Sequence, residues 1–286
     1  GYTSRNPSPS FTYSAGQIDA GGSVTIKVTA WANTAKTIPV LIDTPINVFW
    51  SDWDSVPNVG TPGGFSPGTL FADATGSAIF TFTPSTVKGD NFRITASGGG
   101  ATDSLSTQIV VLANSSTVGS YLVTAPSTAT AGAGFTVNVS AYDVYGNFMN
   151  LYTNATAASV TCTGLSNSPN GSTPTYPSTI TFASGAGTLN STVTAVASET
   201  ATITITNTTT PTVKGTSGPI AVGAATVTRY ILSGYPTSWP SGSTFSVNIE
   251  AYDSYGNPTV GGSSVGLSPV QTDTTTNDSV ISLTAS

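Results

Sequence analysis

The chain repeats itself. Residues 20–31, AGGSVTIKVTAW, lie over residues 131–142, AGAGFTVNVSAY, so that Gly21 falls on Gly132, Val28 on Val139 and Ala30 on Ala141 at an offset of 111. The same offset places Phe71-Ala72 on Phe182-Ala183, Gly76 on Gly187, Ile94 on Ile205, Ile109 on Ile220 and Val111 on Val222. A third stretch, FSVNIEAYDSYGN at 245–257, matches FTVNVSAYDVYGN at 135–147 at an offset of 110. Each copy therefore spans about one ordinary domain, and the chain must solve one packing problem several times. The copies are 1–113, 114–224 and 225–286, joined at Ala113-Asn114-Ser115-Ser116 and at Gly223-Ala224-Ala225.

Inside each copy the apolar residues recur with period two. Phe135, Val137, Val139 and Ala141 alternate with Thr136, Asn138 and Ser140, and Val24, Ile26 and Val28 alternate with Thr25, Lys27 and Thr29. Such alternation buries one face of a strand and wets the other. Gly, Pro, Asn and Ser clusters separate the runs at the spacing of a sandwich. The expected fold is all-β, in tandem immunoglobulin-like β-sandwiches, with the third incomplete. Ile281 and Leu283 fall on Ile180 and Phe182, and the strand-like runs that copy two carries between Gly187 and Val222 have no counterpart in copy three. Either further chain beyond Ser286 or a strand from another subunit is expected to complete that copy.

Charge is scarce. Asp, Glu, Lys and Arg make up 7% of the chain, and Ser and Thr together about 31%. The seven basic residues are scattered and the net charge is −6, so no basic stripe exists to neutralise phosphates and nucleic acid is not an expected partner. No apolar run approaches the length of a membrane-spanning helix. The chain has no His, which removes the commonest general base, and no Ser has a Lys at a useful spacing to replace it. An enzyme is not expected. Cys162 is the only cysteine. On the same strand face as Val160, it reads as a small buried hydrophobe, with an intermolecular disulfide or a reactive thiol as the alternative.

The segments AYDVYGN at 141–147 and AYDSYGN at 251–257 resemble the strand-and-turn signature of immunoglobulin-like repeats in prokaryotic cell-surface proteins, including surface-layer proteins, adhesins and surface filaments of bacteria and archaea. Copy one has Ala30-Trp31-Ala32-Asn33-Thr34 at that place, so its turn differs. In the turn, Asp143 and Asp253 are read as caps, Gly146 and Gly256 as the positive-φ positions, and Asn147 and Asn257 as backbone-bonding amides. Their oxygens also suit calcium, but copy one keeps its strands without the acid, so no cofactor is required.

Two further groups stand out. Trp50, Asp52, Trp53 and Asp54 place two aromatics beside two acids, a pattern that serves as a loop anchor, a sugar or surface contact, a calcium ligand or, least well, a glycosidase pair. Asn-x-Ser/Thr occurs at Asn114, Asn138, Asn154, Asn170, Asn190, Asn207 and Asn277, each an acceptor for N-linked sugar.

The resemblance implies an extracellular structural protein of the cell surface, a layer, filament or stalk component, whose partners are its own copies, other surface proteins or glycans. The alternatives are a carbohydrate- or surface-binding adhesin module and an accessory region of a secreted hydrolase.

Overall fold

In the computed structural model, residues 9–13, 16–54, 56–98, 101–154, 156–238, 240 and 243–260 are described in full, with the backbone alone for 267–271 and 281–285. All regular elements among them are strands. The chain is all-β, as the period-two runs predict, and among the described residues no helix is long and apolar enough to cross a membrane.

The chain divides into two compact units, Gly1–Ser120 with Ser140–Thr153 and Ala183–Gly185, and Tyr121–Val139 with Asn154–Phe182 and Ala186–Ser286. In the first unit, one sheet runs in the order Ser10–Tyr13, Val24–Thr29, Ser77–Thr83, Gly64–Ser66. The other runs Gln17–Asp19, Ile109–Leu112, Asn91–Gly98, Pro45–Asp52, Leu70–Phe71, and Ala101–Ser104 also pairs with Asn91–Gly98. Val24, Ile26, Val28, Phe80 and Phe82 from the first sheet and Ile46, Phe92, Ile94, Ile109 and Val111 from the second share one buried cluster. That is the two-layer solution by which sheets with one apolar face bury it. Lys27, out of step with its buried neighbours, is exposed.

In the second unit, Ala158–Thr163 pairs with Thr179–Ala183 and Thr204–Asn207, and the latter pairs with Lys214–Thr216. Thr128–Thr130 runs parallel to Ile220–Gly223, 111 residues after the parallel pairing of Gln17–Asp19 with Ile109–Leu112. Val137, Val139, Val160, Ile180, Phe182, Ile203, Ile205 and Ile220 are buried, and Tyr121 stacks on Phe182 with ring centroids 5.6 Å apart. Val227–Ser233 pairs with Asn248–Asp253, and Leu267–Gln271 with Ile281–Ala285. The side chains of Ile281 and Leu283 lie outside the described residues.

The offset of 111 slips in one place. Ala30 N–H donates to Gly76 O, and Ala141 N–H donates to Gly185 O, so Gly76 corresponds to Gly185 rather than to Gly187. Phe71 is 54% exposed whereas Phe182 is buried. The match of those two phenylalanines is a coincidence of register, and beyond it Ile94 and Ile205 are again buried alike.

Candidate functional site

Asp143 ends the strand Asn138–Asp143 with its side chain buried. The chain reverses at once: Asp143 N–H donates to Asn147 O at 2.9 Å, and Gly146 N–H donates to Asp143 O at 3.1 Å. Oδ1 of Asp143 accepts from the N–H groups of Tyr145 and Asn147 at 2.9 and 2.8 Å. A short acidic side chain at the first turn position meets the two N–H groups that the reversal frees. Gly146 supplies the left-handed step, at φ 85°.

The other half of the carboxylate reaches back along the chain. Oδ2 accepts from the backbone N–H of Asn114 and from the Asn147 side chain, both at 2.9 Å. The second hydrogen of the Asn147 amide goes to Thr86 O at 2.8 Å, and Asn147 Oδ1 accepts from Lys88 N–H at 2.9 Å. Lys88 Nζ in turn donates to Phe148 O and to Asn150 Oδ1, at 3.2 and 2.7 Å. The Tyr145 ring lies over Gly21 so closely that a β-carbon there would strike it. The turn of copy two is thereby clasped to the linker and to two segments of copy one.

The same set recurs 110 residues later. Asp253 Oδ1 accepts from Tyr255 and Asn257 N–H at 2.9 and 2.8 Å, and Oδ2 accepts from Ala225 N–H and the Asn257 amide at 2.8 and 2.9 Å. Asn257 donates to Val196 O at 2.9 Å and accepts from Ser198 N–H at 2.8 Å. Tyr255 covers Gly132 as Tyr145 covers Gly21. Asn170 adds a brace, its backbone N–H donating to Tyr255 O and its side chain to Ser254 O.

Asp143 and Asp253 are 2% and 1% exposed, so each carries a charge where water does not reach it freely. Burial pushes the Asp143 carboxyl up, but the Asn147 amide and the N–H groups of Asn114, Asn147 and Tyr145 outweigh burial and hold it below the ordinary carboxylate range. Asp253 is likewise pushed up by burial and held down by the Asn257 amide and the N–H groups of Ala225, Asn257 and Tyr255. Each carboxylate oxygen faces two N–H dipoles with their positive ends inward, an environment that stabilises an anion.

Copy one lacks the clasp. Ala32 N–H donates to Ile38 O at 2.8 Å and Trp31 bridges Pro39, so Ala32 stands in the place of Asp143 and Ile38 in that of Asn147, with two additional residues between them. Asn33 Oδ1 closes that longer turn by accepting from Thr37 and Ile38 N–H.

The side chains of the Trp50–Asp54 segment make contacts within the chain, while Trp50 stays 39% exposed. Trp50 meets Phe92 edge-on at 5.7 Å. The Arg93 guanidinium lies 4.6 Å from the Trp53 ring centroid and donates to Trp53 O at 3.2 Å. Asp52 sits at the end of its strand opposite Phe92. Asp54 accepts from Val56 N–H at 2.8 Å and from the Asn91 amide at 3.2 Å. Among the described residues no three His, Cys, Asp or Glu side chains converge as for a metal ion. Cys162 is buried, donates to Pro177 O at 3.4 Å, and has its thiol pushed up to about 11 by burial. Of the sequon residues, Asn277 lies outside the described residues.

Sequence reasoning placed Asp143, Gly146, Asn147 and their counterparts in a turn but did not reach their partners. It took Asn114 for a linker sequon, and the backbone N–H of Asn114 is a donor to the clasp. A signal was present: Gly21 and Gly132 match at the repeat offset, as do Tyr145 and Tyr255.

No protein-family model matches the chain, and no curated protein matches it. Among solved structures it is similar to FdeC, an adhesin of Escherichia coli, at 18% identity and a TM-score of 0.46 over 98% of this chain and 88% of that one. It is also similar to InvD of Yersinia pseudotuberculosis, at 15% identity and a TM-score of 0.40 over 87% of this chain and 71% of that one. Domains 4–9 of the surface layer protein SbsC are similar at 19% identity and a TM-score of 0.26, over 92% of this chain and 38% of that one.

Proposed function

We propose that the chain is part of an extracellular cell-surface protein in which the modules 1–113, 114–224 and 225–286 serve a structural role, as a layer, filament or stalk component, and perform no catalysis. The clasp is the observation that carries this proposal. A buried carboxylate and a fully used amide hold each following turn to the linker and to a loop before it, and the set is built twice from the same residue types. Ordering a linker costs conformational entropy, and repeated expense of this kind suits a protein whose task is to keep modules in fixed succession. Surface chemistry dominated by hydroxyls, with 7% charged residues, supports a role outside the cell.

Electron microscopy of the purified protein and of the surface that bears it tests the proposal. Ordered lattices, fibres or stalks containing the chain support it. A dispersed monomer that binds tightly and selectively on a glycan array would replace it with the adhesin alternative.

A further inference from the structure

We propose that, among the described sequons, Asn138 is the position at which the folded chain carries an N-linked glycan. The modification joins the side-chain amide nitrogen to the anomeric carbon of a lipid-pyrophosphate-linked oligosaccharide. The bond from that carbon to the pyrophosphate oxygen breaks, the lipid pyrophosphate leaves with the electron pair, and the amide gives up one proton to a base. A modified amide thus has one N–H where it had two, and a bulky polar group must have solvent to occupy.

The other five described sequons are less well placed, because the amide of each is already engaged in a native hydrogen bond, although Asn170 and Asn190 are exposed. Asn154 donates to Ile180 O at 3.2 Å and accepts from Phe182 N–H, pinning its loop to the strand Thr179–Ala183. Asn207 donates to the Tyr121 hydroxyl at 3.1 Å while accepting from Thr209 and Thr210 N–H. Asn114 donates to Ala20 O at 3.4 Å, and the hydroxyl of its own sequon, Ser116, is bonded to its Oδ1 at 2.9 Å. Asn170 donates to Ser254 O at 2.8 Å, and Asn190 to Thr179 Oγ1 at 2.7 Å. Asn138 differs from all of them in the hydrogen bonding of its amide. It is exposed, it stands on the wet face of its strand between buried Val137 and Val139, and its amide has no hydrogen-bond partner among the described residues.

Transfer to a residue in a paired strand belongs to the chain before that strand closes into its sheet. Folding then acts as the filter: a sugar on Asn138 points into water, whereas a sugar on any of the other five is attached to an amide nitrogen that already makes a native bond. The test is secretion of the full chain by a cell with N-glycosylation machinery, followed by peptide mass mapping of the soluble, folded protein. Occupancy at Asn138 above that at each of Asn114, Asn154, Asn170, Asn190 and Asn207 is the expected result. Asn138→Gln should then remove the main glycan and leave the melting temperature of the deglycosylated protein unchanged. An unmodified Asn138, or occupancy at any of the five equal to or above it, overturns the proposal.

Discussion

Asp143 Oδ2 accepts the backbone N–H of Asn114 at 2.9 Å, across 29 residues of chain, while Oδ1 of the same carboxylate closes the turn that follows. One side chain therefore both closes a turn and holds the linker before it. A turn cap alone is worth about 1 kcal/mol. A buried acceptor of four N–H groups is worth more, because removing it leaves several donors without a partner.

Asp143→Ala and Asp253→Ala are each expected to destabilise the folded chain by about 2–4 kcal/mol, read from urea unfolding. Added calcium should leave the melting temperature of the unmodified protein where it is. A steep calcium-dependent rise that Asp143→Ala abolishes would show that the carboxylate is a metal ligand instead.

The two carboxylates set the acid limit of the joint. Both lie below the ordinary value of 3.8 in the folded chain, so the unfolded chain binds protons first as acid is added. Their stabilisation is fully present above roughly pH 4 and is lost as the pH falls through the folded-state values. Unfolding free energy should decline over that window, and the decline should be shallower in Asp143→Asn. Asp73 is also shifted down, by Thr75 and Ser77, but it is exposed and contributes little.

Gly21→Ala should cost more than Gly146→Ala. Both glycines have positive φ, at 84° and 85°, so both variants carry the left-handed penalty of about 1 kcal/mol. Open space surrounds Gly146, whereas a β-carbon at Gly21 meets the Tyr145 ring. In a double-mutant cycle with Tyr145→Ala, the excess at Gly21 should vanish. Additive effects would mean that Tyr145 does not seat on Gly21.

Cys162 should resist alkylation in the native protein at neutral pH and react at once in denaturant, since burial holds its thiol near 11. Rapid labelling of the folded chain would show that the strand Ala158–Thr163 is open to solvent.

The strands were legible in the sequence because alternation such as Val24, Ile26, Val28 has one physical explanation, a half-buried strand. The turn was legible because Asp, Gly and Asn each have a distinct backbone use. The clasp was not, and the reason is chemical. Its receiving groups are the carbonyls of Thr86 and Val196 and the N–H groups of Lys88 and Ser198, which are backbone atoms, so the side chains at those positions are free to differ between copies. The contact of Arg93 with the Trp53 ring was not legible, because the two residues lie 40 apart in the chain. Phe71 and Phe182 show the opposite error, since a small slip of register put one identical residue in water and the other in the core.

Each clasp ties a turn to the linker before it, and amide hydrogen exchange reads that tie residue by residue. In the unmodified chain the N–H groups of Asn114 and Ala225 should be protected although both sit in short connecting segments. Asp143→Ala should release Asn114 and leave Ala225 protected, Asp253→Ala should do the reverse, and Val24–Thr29 should stay protected in both. Exchange of Asn114 and Ala225 at the rate of free linker amides in the unmodified protein would show that the clasps do not hold the linkers.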